Sequence, residues 1–114
     1  MFALLMGLKT ISPEELHQLI QQQQQVMVID VNSRQSWITA RVPGALNLAP
    51  ADHTHNDLPP DKESSLVFYC SNPMCSKAPK AARRAKQMGS GKVKVMSAGI
   101  SGWLANKLPT EGGE

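Results

Sequence analysis

"SLVFYCSNPMCSKAPKAARRAKQMG", Ser65–Gly89, decides how the rest of the chain is read. Its first six residues are an apolar, β-rich run ending at Cys70, which reads as a strand. From Ser76 to Met88 the composition changes to Ala, Lys, Arg, Gln and Met, good helix formers, and Gly89 supplies the stop. Between them only "SNPMC" is left for a connection. The stretch is therefore strand, tight loop, helix, with both cysteines of the chain, Cys70 and Cys75, bracketing the loop.

Working outward, "VMVIDV" (Val26–Val31) is apolar without alternation, as a strand covered on both faces should be. "KVKVMS" from Lys92 gives another strand, and Leu46 to Leu48 a shorter one after the Pro43-Gly44 turn. Helices are expected between them. Ser12 caps a helix with Pro13 in its first turn and Glu15 completing a capping box. Its Leu16, Leu19 and Ile20 share one face, and the run Gln21 to Gln25 reads as its solvated end. A short helix is expected over Arg34 to Ala40, and another in "AGISGWLANKLP", where Gly99 permits a turn and Ile100, Trp103 and Leu104 fall on one face. Alternation of strand and helix predicts an α/β fold with a mainly parallel sheet. "APADHTHNDLPPDKESS", from Ala49, is polar and proline-bearing and reads as a surface loop.

With 114 residues the chain suits one domain, residues 1–114, with a core over about 9–109 and short tails. Hydrophobic residues make up 41%, enough for a packed core and too many for a disordered chain. The net charge of +3 is gathered mildly in "KAPKAARRAK" (Lys77–Lys86), which suits a small anionic substrate. Two Trp, two Phe and one Tyr are too few to interleave with a basic stripe, so no nucleic acid partner is expected. No stretch has the roughly 20 apolar residues of a membrane span, and "MFALLMGLKT" lacks a basic start and a cleavage site. A cytoplasmic protein with reduced thiols is the expectation.

Ligands of open parallel sheets bind beyond the carboxyl ends of the strands. Cys70 stands at such an end, and the helix expected near Ser76 would turn amides and its positive pole toward the sulfur. Such surroundings lower a thiol pKa from about 8.5 to roughly 3.5–7.5. The alternatives are a buried inert thiol, since free Cys is among the most buried residue types, and a zinc ligand. His53 and His55 with the two cysteines would give a zinc donor set, but the spacing is loose, and no metal or cofactor is expected. Trp37 and Trp103 read as packing residues, and Arg83 and Arg84 as a solvated face.

The motifs resemble those of the single-domain rhodanese-like sulfurtransferases. Asp30, Val31, Trp37, Val42, Pro43, Gly44, Ala45, Asn47 and Leu48 match an early family stretch. Tyr69 and Cys70 match the strand end, and Gly99, Ile100, Trp103 and Pro109 a late one. The resemblance runs from about Ile11 to Pro109. It implies a three-layer fold: an approximately five-stranded, mostly parallel sheet with helices on both faces, Lys9 to Ile11 being the short first strand. It implies that Cys70 carries sulfane sulfur as a persulfide, with Ser71, Asn72, Pro73, Met74, Cys75 and Ser76 forming the substrate-binding loop. Sulfur would come from thiosulfate or another persulfide and go to a thiol, cyanide or a protein acceptor.

Several positions depart from the family pattern: Asn32, Ser36, Arg41 and Ala98 replace its arginine, acid, histidine and glycine. Arg41, Lys77 and Lys80 are candidate accessory cations. Phosphatases of the same fold need a loop one residue longer and an arginine where this chain has Ser76, so phosphoryl transfer is disfavoured. Cys75 is read as a bystander in preference to a resolving cysteine, because disulfide geometry is not legible from spacing. The competing function is a non-catalytic module of the same fold that recognises a protein partner.

Overall fold

The sheet is organised around a strand that has a parallel neighbour on each side over most of its length. The computed structural model describes residues 7–48 and 63–114. In chain order these form β1 Lys9–Thr10, α1 Pro13–Gln21, β2 Val26–Asp30, α2 Arg34–Thr39, β3 Leu46–Asn47, β4 Ser65–Tyr69, α3 Lys77–Gln87, β5 Lys92–Val95 and α4 Gly99–Ala105. The order across the sheet is β1-β5-β4-β2-β3, and all four pairings are parallel. The five-stranded α/β architecture expected from the sequence is thus present, without an antiparallel strand in the sheet. Most elements end within a residue or two of their expected limits; α1 stops at Gln21, so Gln22 to Gln25, read as its solvated end, lie beyond the helix. Most of the proposed loop from Ala49 lies outside the described residues, as do His53 and His55 of the weighed zinc set.

Each helix starts or docks for a local reason. Ser12 Oγ accepts from the Glu15 amide at 3.1 Å while Glu15 Oε1 accepts from the Ser12 amide at 3.0 Å, which closes the capping box of α1. Such a cap is worth about 1 kcal/mol. In α3, Ala78, Ala81, Ala82 and Ala85 are all buried at i, i+3, i+4 and i+7, so the helix meets the sheet through a face of methyl groups. Its charged residues, including Arg83 and Arg84, are exposed as expected.

Period-two alternation divides the core between the two faces of the sheet. Leu66, Phe68 and Cys70 pack with Ile29, Val93, Val95 and the alanines of α3. Val67 and Tyr69 face the other way, toward Leu16, Val42, Met96 and Trp103. Trp103 is fully buried and donates its indole N–H to the Pro109 carbonyl at 2.8 Å.

One polar network is buried between the sheet and the segment after α2. The Tyr69 hydroxyl donates to Asp30 Oδ2 at 2.7 Å and accepts from the Val42 amide at 3.1 Å, while Asp30 Oδ1 accepts from the Asn32 amide at 2.8 Å. Burial raises the Asp30 pKa above its ordinary value, ahead of the opposing hydrogen bonds from Tyr69 and Asn32. The folded state therefore favours the protonated carboxyl. Its contribution to stability is fullest below the ordinary value of 3.8 and is lost as the pH rises through the folded one.

Beyond Pro109, the segment expected as a short tail is tied down. Arg41 and Glu111 exchange backbone hydrogen bonds of 3.0 Å each. The Arg41 guanidinium lies 3.8 Å over the Trp37 ring and donates to the Gly113 carbonyl at 2.6 Å. These contacts commit Arg41 to the C-terminal segment.

Tyr69→Phe keeps the ring and leaves Val42 N–H and Asp30 Oδ2 without their partner. Urea denaturation should show a loss of roughly 1–3 kcal/mol; a stability within about 0.5 kcal/mol of the wild type would show that the network is dispensable.

Candidate active site

Cys70 follows β4 directly and keeps its alternation, so its side chain is directed to the α3 face behind Leu66 and Phe68. The residue is only 3% exposed. A thiol open at the mouth of the sheet was the expectation, and the structure corrects it. Sγ of Cys70 donates to the Cys75 carbonyl at 3.6 Å, and the two thiols influence each other's ionisation. Both are free thiols, with Cys75 partly exposed.

The amide cradle also differs from the expected one. At the loop's centre, the Cys75 amide donates to the Asn72 carbonyl at 3.1 Å and the Met74 amide to Asn72 Oδ1 at 2.9 Å. These form an Asx turn that shapes the loop and takes both amides away from the sulfur. The donors aimed at sulfur come from its ends: Ser71 and Ala78 toward Cys70, Ser71 and Lys77 toward Cys75. Lys77 and Ala78 open α3, whose first N–H groups have no partner within the helix.

The two thiols consequently ionise differently. Burial pushes the Cys70 thiol up to about 12, reinforced by its hydrogen bond to Cys75 and opposed only in part by the Ala78 and Ser71 amides. For Cys75, burial also disfavours the thiolate, but it is outweighed by hydrogen bonds from the Cys70 thiol and the Lys77 and Ser71 amides, with the Lys77 charge adding to them. Its pKa falls below the ordinary thiol value. The expected lowering is therefore found on the second cysteine of the loop. From the sequence, the strand end and the helix expected near Ser76 point to Cys70 as the anionic sulfur.

The surrounding residues hold this arrangement in place. The Ile100 amide donates to the Cys70 carbonyl at 2.9 Å and the Ser101 amide to the Ser71 carbonyl at 3.0 Å, docking the start of α4 on the loop. Gly99 makes this approach possible: at φ 68°, a Cβ there would lie 2.6 Å from the carbonyl carbon of Ser71. Ala98, where the family pattern has glycine, has an ordinary helical φ of −61° and needs no such freedom. The Ser71 hydroxyl donates to Asn32 Oδ1 at 3.0 Å, a contact unforeseen in the sequence, and Asn32 is itself placed by Asp30. Pro73 and Met74 form the exposed tip, with Met74 71% exposed. Ser76 precedes α3 without capping it through its side chain. Among the candidate cations, Lys77 acts on Cys75, Lys80 is exposed on α3, and Arg41 is engaged with Trp37 and Gly113. Among the described residues no helix is long and apolar enough to cross a membrane.

Comparison with known proteins places this geometry in a family. The family model for the rhodanese-like domain matches residues 12–106. A helix-turn-helix-type transcriptional regulator of Mycobacterium tuberculosis is 28% identical over 89 residues, 78% of this chain; the match spans 39% of the regulator's length. Among solved structures, a Bacillus halodurans protein superposes with a TM-score of 0.84 at 24% identity, over 91% of this chain and 77% of its own. A Pseudomonas aeruginosa thiosulfate sulfurtransferase gives 0.83 at 16% identity, over 95% of this chain and 21% of its own. A human single-domain sulfurtransferase gives 0.71 at 23% identity, over 84% of this chain and 95% of its own. These structural likenesses show the fold.

The close approach at Gly99 can be separated from its backbone conformation by comparison with Gly44. Both have positive φ, but a Cβ at Gly44 would meet nothing within 4 Å. Gly44→Ala should cost about 1–2 kcal/mol for the left-handed backbone, and Gly99→Ala distinctly more by urea denaturation. Equal losses would mean that α4 does not constrain the loop sterically.

Proposed function

The chain belongs to the rhodanese-like domain family, and from that premise we propose that it is a sulfurtransferase working through a persulfide on Cys70. The observation that carries this reading is the sulfur's position at the end of the central strand, faced by the Ser71 and Ala78 amides. In the resting protein Cys70 is a neutral thiol. In the loaded protein the outer sulfur stands about 2 Å beyond Sγ, and a persulfide is more acidic than a thiol. Preorganised amides then stabilise a charge that exists only once sulfur has arrived.

The donor is a small anion with a sulfane sulfur, thiosulfate or a persulfide. Sulfur transfer to the protein forms one S–S bond and breaks the donor's, and sulfite or a thiolate leaves with the bonding electrons. A thiol, a protein cysteine or cyanide then attacks the outer sulfur, and Cys70 leaves. Each step exchanges sulfur between nucleophiles, so neither a cofactor nor a metal is required. Phosphoryl transfer fits poorly, because Ser76 offers no guanidinium to clamp the phosphate.

A second reading, a non-catalytic module for a protein partner, draws on the burial of Cys70 and on Met74, exposed at the loop tip. One experiment separates the two: intact mass and peptide mapping after incubation with thiosulfate or glutathione persulfide. Sulfur transfer predicts one added sulfur that comes to rest on Cys70. It also predicts that Cys70→Ser lowers steady-state transfer to cyanide by at least about tenfold, or 1.4 kcal/mol in the barrier. No sulfur gained from either donor would leave the binding module as the better reading.

A further inference from the structure

An acceptor of sulfur must meet the donor, and Cys70 is only 3% exposed. Cys75 is partly exposed, and the Cys70 thiol is turned toward it, with Sγ of Cys70 3.6 Å from its carbonyl oxygen. The Asx turn at Asn72 holds Cys75 above the buried sulfur, and the Lys77 and Ser71 amides face its thiol. Accessibility and anion-stabilising groups thus coincide on the second cysteine, while the first lies beneath it, surrounded by the alanines of α3.

We propose that Cys75 is a second catalytic thiol: it takes sulfur from the donor first and passes it inward to Cys70. This rests on the sulfurtransferase reading above and specifies how that site is loaded. In the first step the Cys75 thiolate attacks the sulfane sulfur of thiosulfate; a new S–S bond forms on Cys75, and sulfite departs with the electron pair of the broken bond. In the second step Cys70 sulfur attacks the outer sulfur of the Cys75 persulfide. The S–S bond to Cys75 breaks, Cys75 receives that electron pair, and the proton leaving Cys70 is returned to the Cys75 side of the pair. Both steps are sulfur exchanges in which no oxidant or reductant takes part.

The chemistry of thiol exchange favours this direction. Of two thiols the more acidic is ionised to the greater extent at a given pH, which favours its attack there, and it is also the better leaving group. Cys75 is suited to both acts by its lowered pKa, and Cys70, the more basic sulfur, is suited to keep what it receives. Lys77 would add attraction for an incoming dianion near Cys75.

Single-turnover kinetics without any acceptor test the order. Sulfite release from thiosulfate is followed in rapid-mixing experiments, and the site of the sulfur is mapped after acid quench. The wild type should release one sulfite per chain, with sulfur on Cys75 early and on Cys70 late. Cys70→Ser should still release sulfite in a burst and should hold its sulfur on Cys75. Cys75→Ser and Cys75→Ala should both slow the burst by at least about tenfold, and the pH midpoint of the burst should move upward. A wild-type burst rate in both Cys75 variants, or no burst in a folded Cys70→Ser, would overturn the relay while leaving a Cys70 persulfide standing. Release of sulfide with a Cys70–Cys75 disulfide in the wild type would overturn the inward step. No sulfur gained by the wild type from thiosulfate or glutathione persulfide would remove the sulfurtransferase reading and the relay with it.

Discussion

The contact between two sulfur-bearing residues at the end of β4 is the constraint to which the rest of the site answers. A strand directs alternate side chains to opposite faces, so Cys70, in phase with Leu66 and Phe68, is carried under α3. The alanine face of α3 brings the helix close to the sheet and leaves little water around that sulfur. A buried thiol resists ionisation, and the nearest group that can take the charge in its place is Cys75. Fold, packing and ionisation are thus linked through one strand's phase.

The loop holding the pair is supported from three sides. The start of α4 receives the carbonyls of Cys70 and Ser71, Asn32 receives the Ser71 hydroxyl, and Asn72 turns the tip. Asn32 is in turn fixed by Asp30, whose other oxygen holds Tyr69, the residue immediately before Cys70. A polar network buried on one face of the sheet therefore helps to set the residue that emerges on the other. The Lys77 and Ala78 amides complete the surroundings because the first N–H groups of a helix are free to bind outside it.

Much of this was legible in the chain. Unbroken apolar runs marked β2 and β4, Ser12 and Glu15 marked the start of α1, and Gly99 marked the turn that opens α4. The strand-loop-helix unit located both cysteines correctly. Position at a strand's carboxyl end points to Cys70 as the anionic sulfur, whereas the strand's alternation carries Cys70 under α3, where burial raises its pKa. Arg41 read as a candidate accessory cation because charge is visible in sequence and partners are not; its aromatic and carbonyl contacts come from Trp37 and from Gly113, far along the chain. The Asn32–Ser71 hydrogen bond likewise joins residues just past the ends of adjacent strands and has no local signal.

The order of ionisation of the two thiols is the central physical claim, and it is measured most directly by titrating the protein with cysteine labelled at Cβ, each carbon shift followed by NMR. The account predicts that Cys75 titrates below the ordinary thiol value of 9.0 and that Cys70 remains protonated until the pH approaches about 12. A Cys70 thiol that ionises before Cys75 would contradict it.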